Sequence, residues 1–271
     1  MIYTKYNSIS YLRKGLNKKA GRNTTGQITI RHRGGGHKQA FRLINWNRIN
    51  KTSLIIGFEY DPQRNAPLAK LYNDDHTISY IVASEGSKLF QKISRYTQPK
   101  LEYNLKKTFK HIKIGDIAPL TYFETGDFIH SVESFAQQGS TFARAAGSFC
   151  QIISTSSSKI INIFDLKNIN NFRTVRRPSK KNRIISTAAF ATRGIVSTKN
   201  KNIPNLKKAG RTRWIGWRPS VRGVAINPVD HPHGGGQGKT SGGRPSVTFK
   251  SWPTKGQPTR NPKRNKNFIL S

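Results

Sequence analysis

The distribution of acidic residues constrains this chain more than any single motif. Met1–Phe58 holds no Asp or Glu, and Leu166–Ser271 holds one, Asp230. Lys and Arg number 12 in residues 1–58, 12 in 59–165 against 11 acids, and 24 in 166–271, so the three blocks carry +12, +1 and +23 of the total +36. A near-neutral centre can close around an apolar core, whereas flanks of one sign repel themselves until a polyanion neutralises them. The flanks are also rich in Gly, Pro, Asn, Lys and Arg, the composition of segments that gain order on a partner. An isolated flank is expected to be disordered, and the partner chemistry it calls for is phosphate.

The centre reads as β structure. Thr52–Tyr60, Pro67–Tyr72 and Thr77–Ala83 are short β-type runs separated by Asp61-Pro62 and Asn73-Asp74-Asp75, both turn signals. Residues 84–112 break that rhythm. Within them, Leu101, Leu105 and Phe109 recur at spacings of four, which predicts a short amphipathic helix over 98–110. Strand signals resume at Phe128–Val132, Phe149–Ile153, Lys159–Phe164 and Phe172–Val175. From about Arg183 onward no period of 2 or 3.6 persists, and the tail reads as irregular.

Cys150 is the single cysteine, so no internal disulfide framework or thiolate zinc site can form, and its apolar neighbours Phe149 and Ile152 point to burial. No segment approaches the roughly 20 apolar residues that span a bilayer. Residues 1–20 are basic, hydroxylated and free of acid like a mitochondrial presequence, yet lack an Arg-rich helical stripe. The bias to Ile, Asn and Lys suits an AT-rich coding genome.

Two clusters carry candidate chemistry. Arg31, His32, Arg33, His37 and Lys38 surround Gly34, Gly35 and Gly36. Glycine lets a backbone approach phosphate closely while Arg and Lys neutralise it; a solvated flexible loop is the bland alternative. The second cluster is Asn227–Thr240. Its end resembles a phosphate-binding loop at Gly238-Lys239-Thr240, but His233 occupies the first required glycine position and neither strand nor helix flanks it. Asp230, His231 and His233 could ligate a metal, though no fourth ligand is apparent, or His231 and His233 could act as acid and base, though no nucleophile pairs with them. The reading that suits the local charge is an RNA-contact loop, in which His231, His233, the amides of Gly234, Gly235 and Gly236, Gln237 and Lys239 face RNA and Asp230 holds His231 or an amide in place. Between the clusters, Arg211, Arg213, Trp214, Trp217 and Arg218 interleave aromatics with guanidinium. The two tryptophans can serve equally as stacking platforms or as packed anchors.

Together these strings resemble the universal large-subunit ribosomal protein family L-two. The resemblance rests on Gly21–Thr29, Arg31–Lys38, Glu59–Arg64, Phe142–Gly147, Lys208–Gly210, Arg213-Trp214, Arg218–Gly223 and Asn227–Gly236, in the family's order. It implies a mainly β chain: a basic extension over 1–39, an oligonucleotide-binding-type barrel over 40–112 with an insertion near 84–110, an SH3-like barrel over 113–185, and a basic extension over 186–271. It further implies that both tails thread into large-subunit rRNA near the peptidyl-transferase region, beside neighbouring ribosomal proteins and facing the small subunit. The catalytic centre would be RNA, with no cofactor or metal. A histidine of the His231/His233 pair, His231 foremost, would matter for peptidyl transfer. Arg144, Arg222 and Arg244 join the expected RNA contacts. Departures are the insertion and Phe135–Thr141, which replaces a more Gly- and Lys-rich approach. The tail from Gly238 to Val247 looks bacterial or mitochondrial, so the expected location is a mitochondrial ribosome, with plastid or bacterial cytoplasm as alternatives. A general nucleic-acid compaction protein is the other reading.

Overall fold

The computed structural model describes residues 9–97, 112–154, 172–199, 206–238, 243–257 and 269–270. The helix expected over 98–110, the strand expected over 159–164, and Lys239 lie outside them, as do residues 1–8 of the presequence-like stretch. The chain divides into two compact units: Met1–Leu16, Gln39–Ile203 and Asn265–Ser271 form the first, Asn17–Lys38 and Pro204–Arg264 the second.

The first unit is built from strands. β1 (Arg13–Gly15) pairs antiparallel with β2 (Ala40–Arg42). β3 (Thr52–Glu59), β4 (Leu68–Asn73), β5 (Ile78–Val82) and β6 (Lys92–Ser94) form a four-stranded antiparallel sheet in the order β5-β4-β3-β6. The first three are the expected runs; β6 falls in the stretch whose rhythm breaks, and pairs with β3 through Thr52–Ser94 and Leu54–Lys92. The period of two sorts side chains to opposite faces. Ala69, Leu71, Ile81 and Ala83 pack with Ile55, Phe58 and Ile93 on one face, while Leu68, Tyr80 and Val82 pack with Ala66 and Val196 on the other.

β7 (Ile117–Pro119), β8 (Phe128–His130), β9 (Val132–Glu133), β10 (Ser140–Phe142), β11 (Cys150–Ser154), β12 (Phe172–Arg176), β13 (Asn182–Ser186), β14 (Phe190–Arg193) and β15 (Ile269–Leu270) complete the strands. Seven of them form one sheet in the order β15-β13-β12-β11-β8-β14-β7, and β9 pairs with β10. Leu120, Phe123, Ile129, Val132, Ile152, Val175 and Ile185 fill the core beneath it. The fold is therefore mainly β, an oligonucleotide-binding-type barrel followed by an SH3-like one. The expectation of an irregular chain from Arg183 onward fails at β13 and β14: these strands are four or five residues long, too short for alternation to register, yet Ile184, Ile185 and Ala191 are buried.

The two sheets meet where Arg95 and Ile117 form a parallel bridge and the Tyr96 N–H donates to the Ile117 carbonyl at 2.8 Å. The Asp116 carboxylate accepts from the Ser94 and Lys113 amides at 2.8 and 2.9 Å, and the buried Arg48 donates to the Thr192 hydroxyl at 2.9 Å. Burial lowers Arg48 to about 10 despite the nearby Asp116 charge. His130, also fully buried, bonds the Ser84 and Ser131 hydroxyls at 2.7 and 3.1 Å. Burial, and secondarily the Arg48 charge, push it down to about 3, so it is neutral. Cys150 is buried as expected, and burial raises its thiol to about 12.

Candidate nucleic-acid interface

The second unit joins the first cluster to the Arg- and Trp-bearing segment that lies between the two clusters in sequence. The Gly34 N–H donates to the Gly216 carbonyl at 2.8 Å, the His37 N–H to Trp214 at 2.9 Å, and the Arg218 N–H to His32 at 3.1 Å. His32 Nδ1 lies 3.1 Å from the Pro219 carbonyl. Segments some 180 positions apart in sequence are thus knitted mainly by backbone hydrogen bonds.

Glycine is required at this seam. Gly36 has φ +61°, and a Cβ there would stand 2.6 Å from the Trp214 carbonyl oxygen and 2.8 Å from the Gly216 nitrogen. The close approach that glycine permits at Gly36 is therefore to the protein's own backbone. Gly35 differs, since a Cβ there would meet nothing within 4 Å.

Trp214 and its neighbours sit on α1 (Ala209–Ile215), a third regular element, after β13 and β14, inside the stretch expected to be irregular. Gly216 stops it in the left-handed conformation, φ 99°, its N–H directed to the Arg213 and Thr212 carbonyls. A seven-residue helix gains little from propensity alone, and none of its residues is buried. Its terminus is held instead by the Gly34–Gly216 and His37–Trp214 bonds. Trp214 and Trp217 are 57% and 42% exposed, so part of each ring stays open to solvent. The Arg33 guanidinium carbon lies 3.7 Å from the Trp217 ring centroid, Arg31 4.0 Å from Phe249, and the Lys208 ammonium 5.6 Å from Trp214. Arg211, Arg213, Arg218, Arg222 and Arg244 are exposed.

The histidine loop is ordered by its own backbone. The Asn227 carbonyl accepts from the Asp230 and His231 amides, Gly234 donates to His231 at 2.8 Å, and Gly235 donates to Ile226 at 3.1 Å. His231 Nδ1 accepts the His233 N–H at 3.0 Å, which places the ring proton of the neutral imidazole on Nε2; His233 Nε2 accepts the Val247 N–H at 3.3 Å. The rings lie 4.8 Å apart. Beneath His231 is Gly223, where a Cβ would come within 2.5–2.6 Å of the imidazole. The expectation that Asp230 holds His231 or an amide is not met. Its carboxylate is exposed, and among the described residues it takes no hydrogen bond or ion pair, because the His233 amide already fills His231 Nδ1. Nor does any group of three or more His, Cys, Asp or Glu among the described residues suit a metal ion.

Electrostatically the unit has one sign. Asn17–Lys38 holds six Lys and Arg and Pro204–Arg264 thirteen, against Asp230 alone. Arg144 belongs to the first unit, where its guanidinium lies 4.8 Å from the Trp46 ring. Lys18, which donates to the His37 carbonyl at 2.5 Å, and Phe249 have no signal in the sequence beyond local basicity, whereas Lys208 opens the Lys208–Gly210 string. Gly223 could have been singled out as the one glycine in the Arg218–Gly223 string.

Comparison with known proteins agrees with this geometry. The family description "Ribosomal Proteins L2, RNA binding N-terminal domain" matches residues 9–94, and "Ribosomal Proteins L2, C-terminal domain" matches 113–251. The chain is 42% identical over 265 residues to the large ribosomal subunit protein uL2m of Reclinomonas americana, covering 97% of this chain and 87% of that one. It is 39% identical over 261 residues to uL2 of Rickettsia felis and 40% identical over 261 residues to uL2 of Rickettsia canadensis, each alignment covering 96% of this chain and 87% of the relative. Among the described residues no helix is long and apolar enough to cross a membrane. The chain belongs to the ribosomal protein L2 family, and is an RNA-binding protein of the large ribosomal subunit.

Proposed function

We propose that the second unit is the principal rRNA-binding surface and that it supports the peptidyl-transferase region and subunit association in a mitochondrial ribosome. The supporting observation is the seam itself: Gly34–His37 bonded to Trp214–Gly216 presents exposed indoles, guanidinium groups and amides in a unit with almost no acid. Phosphates take the cations, and unpaired bases take the ring faces. His231, with Nδ1 occupied, keeps its Nε2–H as a donor for a phosphate, a 2′-hydroxyl or a base edge. Arg144 adds a contact from the first unit. The Reclinomonas uL2m relative supports the mitochondrial location, as does the Ile-, Asn- and Lys-rich composition, while the similar Rickettsia uL2 proteins keep a bacterial location as the alternative.

The test is co-sedimentation of the native chain with large subunits in organelle fractions, followed by salt titration of purified protein on large-subunit RNA. Six to ten phosphate contacts make affinity fall by about 10³- to 10⁵-fold between 50 and 200 mM salt. Protein absent from large subunits, or affinity indifferent to salt, overturns the reading. Subunits carrying His231→Ala are expected to assemble and to form peptide bonds slowly; an unchanged rate makes the loop architectural.

A further inference from the structure

We propose that a cavity on the SH3-like barrel is a second RNA site, built to receive one unstacked nucleotide. The proposal rests on the chain binding large-subunit RNA but concerns residues outside the second unit.

The cavity encloses about 550 Å³, within the roughly 300–1,000 Å³ of small-molecule sites. Its floor is one cross-strand row: Phe128 of β8 pairs with Gln151 of β11, which pairs with Arg176 of β12. Phe149 stands edge-on to Phe128, ring centroids 5.0 Å apart at 80°. Phe128 is 44% exposed, so the pair presents an aromatic face to solvent. The rim is the turn from β12 to β13, closed by the Lys180 and Arg177 amides donating to the Arg177 and Lys181 carbonyls. That turn places Arg176, Arg177 and Lys180 along the opening, and among the described residues no acid lines it. Arg177 Nε is buried and has no hydrogen-bond partner among the described residues.

Each part answers to a different group of a nucleotide. The Phe128 and Phe149 rings receive the base, the Gln151 amide can pair with a base edge, and Arg176 and Lys180 neutralise the phosphate. A base stacked in a duplex cannot enter a concave site, so the ligand is a nucleotide splayed from a loop or bulge. An apolar peptide would leave the cations uncompensated; an acidic one would have no use for the aromatic floor.

The experiment uses the full-length chain with transcribed large-subunit RNA carrying 4-thiouridine, irradiated and mapped by mass spectrometry. Cross-links are expected at Phe128, Phe149 or the Arg176–Lys180 turn. Phe149→Leu, which keeps apolar volume, is expected to weaken binding about fivefold or more with an unchanged melting curve, and Phe149→Tyr to restore it. Arg176→Gln with Lys180→Gln is expected to lower the salt slope by about 1–2. If wild-type protein binds RNA but no cross-link maps here and neither change moves affinity or slope, the site is refuted. A neighbouring protein cross-linked here in the assembled subunit refutes it too. Loss of all RNA binding by wild type would instead bring down the primary reading.

Discussion

The two units hold themselves together by opposite means. The first buries apolar side chains from both faces of its sheets, and all three ion pairs found among the described residues, Arg42–Glu59, Arg64–Asp61 and Arg193–Asp127, belong to it. In the second, the described residues bury only Gly216 and Val247, and order comes from backbone hydrogen bonds and cations over rings. Hydrophobic burial scales with apolar area and needs no ligand, whereas a surface of one sign is self-repelling until counter-charge arrives. By this argument the first unit is expected to fold without a partner, and the second to need the RNA proposed above to finish it.

The sharpest way to break this contrast is to injure each unit in its own currency. Phe123→Ala, at a side chain 1% exposed, is expected to cost about 3–5 kcal/mol in denaturant unfolding. Trp214→Ala should leave stability within about 0.5 kcal/mol yet weaken RNA binding by about fivefold to a hundredfold. A large stability loss from Trp214→Ala would show that the second unit has a core after all.

Gly36→Ala and Gly35→Ala give a matched pair within the second unit. The first forces a Cβ against the Trp214 carbonyl at positive φ, a strain of about 1–3 kcal/mol that should open the seam and reduce RNA affinity. The second meets nothing within 4 Å and should bind as wild type. Equal effects would mean that the glycine strip acts through RNA contact and not through its fit to Gly216.

The first unit should also show a pH dependence traceable to one buried imidazole. His130 is held neutral, with its pKa lowered to about 3 by burial and by Arg48. The unfolded chain, with histidine near 6.5, therefore binds the extra proton between about pH 6.5 and 3. Stability from this group is fully present above 6.5 and falls by up to about 1.4 kcal/mol per pH unit through that window. Melting curves of wild type and His130→Gln should converge on acidification; parallel curves would contradict it.

What was legible in the sequence follows from the same contrast. β3, β4 and β5 show because alternation over five to eight residues, bounded by Asp-Pro and Asn-Asp turns, is a local pattern. β6 and β14 do not, being short strands whose neighbours are distant in sequence, and β13 does not because its buried Arg183, Ile184 and Ile185 run consecutively and show no alternation. At the candidate site, the glycines, the Arg and Trp interleaving and the histidines were all legible as types. Their partners were not, because the bond from Gly34 to Gly216 or the seat of His231 on Gly223 depends on chain returning from far away. Asp230 looked like an orienting carboxylate on chemistry alone, but a backbone amide two residues from His231 reaches that nitrogen first.

The smallest expected effect separates two uses of one ring. Arg33 already lies over Trp217 at 3.7 Å, so that face is taken, whereas over Trp214 the Lys208 cation sits at 5.6 Å. An exposed cation–π pair contributes about 0.5–1 kcal/mol. If Arg33 keeps its place when RNA binds, Trp217→Ala and Arg33→Ala remove one shared interaction, and a double-mutant cycle on RNA affinity gives less than the sum of the singles. Arg33→Lys should keep the salt slope but lose the planar stack, while Arg33→Gln should lower the slope by about 0.7–0.9. Additive losses would place a base, and not Arg33, on Trp217 in the complex, making the two tryptophans equivalent platforms.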